Sequence, residues 1–442
     1  MATYYFISDL HLGAGDERED FYWSDGAAPP ASIEARRCAM AALHDRFGAF
    51  VDWMLAASAR RGEPARLIIL GDFLDLLQVL PEAPQSPGKI ARIAAAHGPV
   101  FDHLRRFHAG GGTLDVVIGN HDHELFAPAL WKALQRELPF INSTEAGGGP
   151  TGWFAAADVP LYAEHGSQFD PPNAFESFGD PAQTNLGCEI VRHIVNPTEE
   201  RFPLLDNLSG TRATLWFALR NMPALLGAGL RRQWRDLIRS LQSSGRDDAA
   251  LPLGEVFLHL GYLLLLHYAG ASTQQLLVAV ARMLMDNEDL LRAARRGAGE
   301  AIPRPGLLAS LAHLGRHPGR ILTGATEDDV RRGAEALLRA ARSGVVNPAP
   351  QASGENSGPP PALGPVPTGC RMVLCGHTHR AEVRSLGEGW VVNTGCWRPV
   401  ARPFHRARYR IEQPLDVIVV ARDREGAWRP RHLSFAARLR RQ

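Results

Sequence analysis

Five hydrophobic runs of this chain each stop at a short block of Asp, His and Asn, and no other feature limits its fold as tightly. Tyr4-Tyr5-Phe6-Ile7 precedes Asp9-Leu10-His11, Leu67-Ile68-Ile69-Leu70 precedes Gly71-Asp72-Phe73-Leu74-Asp75, and Leu114 with Val116-Val117-Ile118 precedes Gly119-Asn120-His121-Asp122. Val159 to Ala163 leads into Glu164-His165-Gly166, and Met372-Val373-Leu374 into Gly376-His377-Thr378-His379. Runs of β-branched, aliphatic and aromatic residues bounded by Gly and Asp suit strands buried on both faces. In an α/β sheet, ligands collect where such strands end. The pattern predicts an α/β fold in which all five blocks share one edge, provided the strands share a sheet and a direction. A lone Asp or His at a strand end is ordinary turn or cap chemistry. Five in succession supply the mixed oxygen and nitrogen donors of a metal cluster.

In this order the blocks resemble the signature of the calcineurin-like metallophosphoesterase superfamily: D-x-H, G-D-x-x-D, G-N-H-D/E, a lone His, then G-H-x-H. The resemblance covers every block and leaves much of the chain outside it. It implies a four-layer α/β/β/α sandwich of mixed sheets and two divalent ions, whose paired charge can polarise a phosphoryl group and lower the pKa of a shared water. By resemblance Asp72 bridges the ions, Asp9, His11 and His379 complete one, and Asn120, His165 and His377 complete the other. The mixed donors fit Mn best, with Fe and Zn as alternatives, rather than the all-oxygen shells of Mg or Ca. An extended backbone would put Asp9 and His11 on one side, and His377 and His379 likewise.

The implied reaction is hydrolysis of a phosphoester by metal-bound hydroxide, since no Ser or Cys nucleophile motif sits inside the constellation. His121 is the expected general acid, and Asn120 and His165 are expected to bind or polarise phosphate. Asp75 resembles the carboxylate that orients such a histidine, and its place after a strand equally suits a helix N-cap. Asp122 reads as a cap of the next turn, with acceptance of a hydrogen bond from a ligand histidine as the alternative, and His123 as facing solvent or substrate. Ser167-Gln168-Phe169-Asp170-Pro171 reads as a loop reaching substrate or as a plain turn. Asn393-Thr394-Gly395-Cys396-Trp397-Arg398 resembles the family's N-x-G loop beneath the metals; Arg398 is a candidate phosphate ligand, with a surface position the favoured reading. The opening Tyr5 to Leu12 also resembles the UDP-2,3-diacylglucosamine pyrophosphatase branch, which is shorter and carries Arg where His121 stands. A nucleotide phosphodiesterase or nuclease is the other alternative. No ligand position is missing, which weighs against a metal-free scaffold.

Composition narrows the remaining classes. The formal net charge is +1, so bulk electrostatics select neither nucleic acid nor membrane. Lys89 and Lys132 are the only lysines among 48 basic residues, a bias that accompanies abundant Ala, Gly and Pro and is weak evidence for phosphate recognition. Five cysteines without C-x-x-C spacing suggest reduced thiols, with Cys375 and Cys396 as small buried packing residues. A site-bearing strand beginning at residue 4 leaves no signal peptide visible, and a cytoplasmic location is expected.

Four blocks fall between residues 9 and 165, yet the fifth waits until 376. The chain therefore divides into a core part over 1–184, a helical insertion over 185–345, a Pro/Gly-rich linker over 346–369 and a second core part over 370–442. Apolar residues recur at helical spacing over 213–219, 225–241, 256–268 and 274–294. Thr326 is the expected N-cap of a further helix with Val330, Ala334, Leu337 and Leu338 on its apolar face. The insertion reads as a bundle, or as a lid or lipid-facing surface, since 225–241 mixes apolar residues with Arg231, Arg232, Arg235 and Arg239.

Overall fold

The structure, a computed structural model, describes residues 2–16, 18–23, 32–142, 149–156, 158–170, 173–199, 207, 327–342, 362–404 and 408–439. These residues form a mixed α/β fold with two mixed sheets and a separate hairpin. In the first sheet β1 (Thr3–Ile7), β2 (Ala65–Leu70), β3 (Thr113–Val117) and β4 (Ile141–Asn142) run parallel. In the second, β5 (Trp153–Ala156) lies antiparallel to β6 (Val159–Glu164), which runs parallel to β7 (Met372–Cys375). On the far side of β7 lies β9 (Gly389–Asn393), also parallel, with β8 (Glu382–Leu386) antiparallel at the edge. The pair β10 (Val400–Phe404) and β11 (Arg408–Glu412) forms the hairpin, and β12 (Asp416–Arg422) returns antiparallel to β1 with β13 (Trp428–Ser434) at its edge.

The five predicted strands form as β1, β2, β3, β6 and β7, but they divide three to two between the sheets. The single shared edge is thereby corrected. Successive strand side chains point to opposite faces. Tyr4, Phe6, Ile68 and Leu70 therefore join Leu161, Ala163, Met372 and Leu374 in one buried cluster shared by both sheets. Tyr5, Ile7, Leu67 and Ile69 point the other way. There they meet Phe47, Phe50 and Met54 of α1 (Ile33–Arg61) and Phe101 and Leu104 of α2 (Gly98–Ala109). Burial on both faces is what these unbroken apolar runs predicted.

The helix Glu327–Arg342 forms where the apolar spacing placed it, and Val330, Ala334, Leu337 and Leu338 are its buried stripe. Thr326 lies outside the described residues. The stripe packs on Tyr162, Val373 and Val391 of the second sheet, so this helix belongs to the sheet's cover and not to an insertion reaching residue 345. The other end of the expected insertion also docks on the core: Asn185 caps the short helix Leu186–Ile190, and Asn196 Nδ2 donates to Leu77 O at 2.9 Å. The helices expected over 213–294, with the lipid-facing alternative they carried, lie outside the described residues. The described end of the Pro/Gly-rich stretch is held in place, Leu363 N donating to Glu164 Oε2 at 3.2 Å and Gly364 N to Tyr162 Oη at 3.1 Å. No disulfide joins any of the five cysteines, and Cys188, Cys370, Cys375 and Cys396 are buried. Among the described residues no helix is long and apolar enough to cross a membrane.

Leu338 is fully buried between its helix and the second sheet. Leu338→Ala removes that packing and leaves a cavity, so chemical denaturation should register a loss of about 3 kcal/mol of unfolding free energy.

Candidate metal centre

The ends of the two sheets are stitched together by backbone hydrogen bonds, and this stitching assembles the site. Asp9 N donates to Gly71 O at 3.1 Å and His11 N to Asp72 O at 2.9 Å, joining the loops after β1 and β2. Gly376 N donates to His165 O at 2.8 Å, joining those after β6 and β7. Trp397 N and Arg398 N both donate to Asp9 O, at 3.2 and 3.1 Å, and so cross from the loop after β9 to the first sheet.

Five candidate ligands adopt left-handed backbone: φ is +54° at Asp9, +50° at His11, +50° at Asp72, +70° at His377 and +56° at His379. The extended backbone that would have put Asp9 with His11 and His377 with His379 on one side by alternation is thus not the conformation these pairs adopt. Such conformations cost about 1 to 3 kcal/mol each at a residue with a Cβ and gather at functional sites. Here they turn consecutive ligand blocks back over the strand ends. The neighbouring glycines answer to close contact. A Cβ on Gly71 would lie 2.2 Å from His165 Nδ1, and one on Gly119 would lie 2.3 Å from Asp72 Oδ1.

The side chains form overlapping clusters. Ligand atoms of Asp9, His11 and His379 lie within 4.8 Å of one another, as do those of Asp72, His165 and His377, and of His11, Asp72 and His121. Asp9 divides its carboxylate: Oδ2 accepts from Ser8 Oγ and from His377 N at 3.2 Å, while Oδ1 sits 3.2 Å from His379 Nε2 and 3.9 Å from His11 Nε2. Asp72 does likewise, Oδ1 accepting from His121 N at 2.9 Å and Oδ2 facing His165 Nε2 at 3.1 Å and His11 Nε2 at 3.6 Å. Asp72 is therefore common to the His11/His121 cluster and the His165/His377 cluster.

The outer nitrogens are committed elsewhere. His11 Nδ1 and His121 Nδ1 lie 3.1 and 2.9 Å from the same Asp75 Oδ2, and His165 Nδ1 lies 3.0 Å from Leu70 O. Holding the outer N–H fixes ring orientation and leaves the inner lone pair for a cation. What remains inside is a set of buried atoms with no hydrogen-bond partner: Asp9 Oδ1, His11 Nε2, Asn120 Oδ1 and His165 Nε2. A buried polar atom left unsatisfied is costly, and four of them with hard and borderline donor chemistry fit divalent cations.

Electrostatics agree with that donor set. Burial opposes ionisation of Asp9, yet His379, His11 and His165 together hold its carboxyl well below the usual range. Asp72 is likewise lowered against burial, chiefly by His165 and His121, and Asp75 falls to about 2 under His121 and His11. Against its own burial, His165 is pushed up to about 9 by Asp72 and Asp9. His379 goes the other way, down to about 4, through burial and the neighbouring Arg398 guanidinium. His165 is thus the imidazole that answers the charge of the Asp72 and Asp9 carboxylates.

Four expectations are corrected. Asp75 caps no helix, since the next helix begins at Gly88 after Pro87; its carboxylate is spent on His11 and His121. Asp122 does stand at the N-cap position of the 3₁₀ turn His123–Phe126, but its side chain makes no capping bond, accepting instead from Gly119 N at 2.6 Å and Phe73 N at 2.8 Å and so tying the β2 and β3 loops together. His123 faces neither solvent nor substrate. It is buried, stacked on Phe175 with ring centroids 3.8 Å apart, and its Nε2 lies 2.7 Å from Phe178 O. Arg398 is no surface residue: it is 3 % exposed, paired with Asp20, and its Nη2 lies 3.4 Å from His379 Nδ1.

Other residues of the centre carried no clear signal. Asp20 lies with His11 and Asp75 in a fourth cluster, yet no motif marks it. Glu19 gathers its loop by accepting from Gly15 N at 2.9 Å and Phe21 N at 2.7 Å, and it faces His97 Nε2 at 3.0 Å. His97 in turn meets His44 Nε2 at 3.0 Å. These partners are far apart in sequence, so only the folded chain reveals them. Asp170 sits in a stretch that sequence did single out, where turn chemistry masked it. The chain matches no family model and no curated protein.

Two outcomes test this construction. Gly119→Ala should displace the Asp72 carboxylate and abolish metal uptake, measured by elemental analysis, with the circular dichroism spectrum retained. His44 is pushed down to about 4 by burial and by His97, so the folded chain keeps it neutral while the unfolded chain protonates it near 6.5. Its contribution is therefore present above about pH 6.5 and is lost as pH falls toward 4. Thermal unfolding of His44→Gln should decline less than that of the parent across this interval.

Proposed function

We propose that the chain is a metal-dependent phosphoester hydrolase of the calcineurin-like metallophosphoesterase kind, with its two sheets and flanking helices as a four-layer sandwich and the stretch after residue 199 as a helical insertion. The observation that carries this reading is Asp72, which belongs to both the His11/Asp72/His121 and the Asp72/His165/His377 clusters and so links the latter, through His11, to the Asp9/His11/His379 cluster. Asp9, His11 and His379 would hold one divalent ion with Asp72, and Asn120, His165 and His377 the other. Mn suits the mixed donors best. When bound, such a pair supplies an activated water and a Lewis-acid clamp on the phosphoryl oxygens.

The chain's own residues supply orientation and protons. Asn120 and His165 flank the phosphoryl group on one side, and Arg398, anchored by Asp20, adds positive charge on the His379 side. His121 holds Nδ1 toward Asp75 Oδ2, so Nε2 delivers the proton to the leaving oxygen. Sharing Asp75 between His121 and His11 keeps the acid in register with the ion that His11 binds. His121 stands where the UDP-2,3-diacylglucosamine pyrophosphatase branch carries Arg, which favours a phosphoester whose leaving group needs protonation over that lipid-linked pyrophosphate.

Chelated protein resupplied with Mn²⁺ should hydrolyse aryl phosphate mono- or diesters, and Asp72→Asn should lose both uptake of the ions and turnover. His121→Ala should keep the ions and lose roughly 10²- to 10⁴-fold in kcat, the range of one general acid. Turnover indifferent to the chelator, or Asp72→Asn with both ions and full activity, would refute the reading.

A further inference from the structure

One buried carboxylate next to the centre has no part in the ligand set. Asp170 follows His165 by five residues and is 2 % exposed. The chain reaches it through Gly166, at φ +100°, and a single 3₁₀ turn, Ser167–Phe169. Phe169 packs beneath the Glu327–Arg342 helix, where a Cβ on Gly333 would come within 2.3 Å of its ring. The backbone around Asp170 is thus fixed by the cover of the second sheet. Its Oδ2 lies 3.0 Å from His377 Nε2 and accepts from Asn173 Nδ2 at 2.6 Å.

That contact decides which nitrogen of His377 is left. With Nε2–H donated to the carboxylate, the lone pair belongs to Nδ1, which makes Nδ1 the donor that His377 can offer to the cluster with Asp72 and His165. His165 is held in the opposite sense, its Nδ1 facing Leu70 O and its Nε2 turned inward. The two halves of the centre also have separate orienting carboxylates, Asp75 on His11 and Asp170 on His377.

Resting on the function proposed above, we propose that Asp170 is the positioning residue of His377. It fixes the Nε2–H tautomer and thereby sets affinity for the ion held by Asn120, His165 and His377, leaving the Asp9/His11/His379 ion alone. Removal of an outer partner of this kind costs about 10- to 100-fold in metal affinity.

The test uses the full chain, stripped with chelator and titrated with Zn²⁺ by calorimetry and elemental analysis. Wild type should take up two ions. Asp170→Ala should bind one ion as wild type does and the other about 10- to 100-fold more weakly. Asp170→Asn, whose amide oxygen still accepts from Nε2–H, should recover part of the loss. Asn173→Ala removes the other donor to the same oxygen and should leave both affinities unchanged. Long-range ¹H–¹⁵N spectra of the zinc-loaded protein should contain one bound imidazole protonated at Nε2, missing from Asp170→Ala. Two undiminished affinities in Asp170→Ala, an equal loss in Asn173→Ala, or no such imidazole would overturn the assignment to Asp170. Wild type that takes up no ion would overturn the proposed function itself and this inference with it. Should Asp170→Ala fail to fold, the Asp170→Asn and Asn173→Ala comparison and the wild-type spectrum decide the matter.

Discussion

Asp9, Asp72 and Asp75 are withdrawn from water at the ends of β1 and β2, and each is held below the usual carboxylate range. Burying ionised carboxylates so close together is unfavourable unless positive charge and N–H donors surround them. Much of the local architecture answers that demand. His165, from the opposite sheet, is driven to carry a proton by Asp72, and His11 and His121 share Asp75. Asp122 draws the β2 and β3 loops together while its own carboxyl, buried near Asp72, is raised to about 7. The centre concentrates buried negative charge, and His165 is the imidazole raised to meet it.

The second demand is geometric. Neither sheet alone contains the centre, so ligands from three strand ends in one sheet must meet ligands from two in the other. Ordinary extended backbone would carry Asp9 and His11 onward along the strand. Left-handed turns at Asp9, His11, Asp72, His377 and His379 fold the blocks back on the strand ends, and Gly71 and Gly119 permit the approach of His165 and Asp72. Strain of this kind persists only where surrounding contacts over-determine it. Here the hydrogen bonds from Gly376 N to His165 O and from Arg398 N to Asp9 O do so.

Much of the candidate centre was legible because its residues come in local blocks after apolar runs. The alternation of buried side chains on β1, β2 and β7 explains why those runs have no polar face to interrupt them. Misreadings arose where a residue's partner is distant in sequence. Arg398 looks like a surface arginine until Asp20, 378 positions away, is brought beside it. His123 looks solvent-facing until Phe175 stacks on it, and Asp170 looks like a turn residue until β7 delivers His377. The helix Glu327–Arg342 shows the same limit: its apolar stripe was evident, but nothing local says that β7 and β9 are what the stripe covers.

Sequence by itself determined the strands, the order of the ligand blocks and the donor types, because strand burial and metal preference depend on residue character over a few neighbouring positions. Tertiary structure alone decided that the blocks divide between two sheets. It also decided that Asp72 faces both His11 and His165, and that each of these two imidazoles has Nδ1 committed outward and Nε2 turned in. Those are properties of distances between segments up to several hundred residues apart. Only the packing of the two sheets against each other sets them.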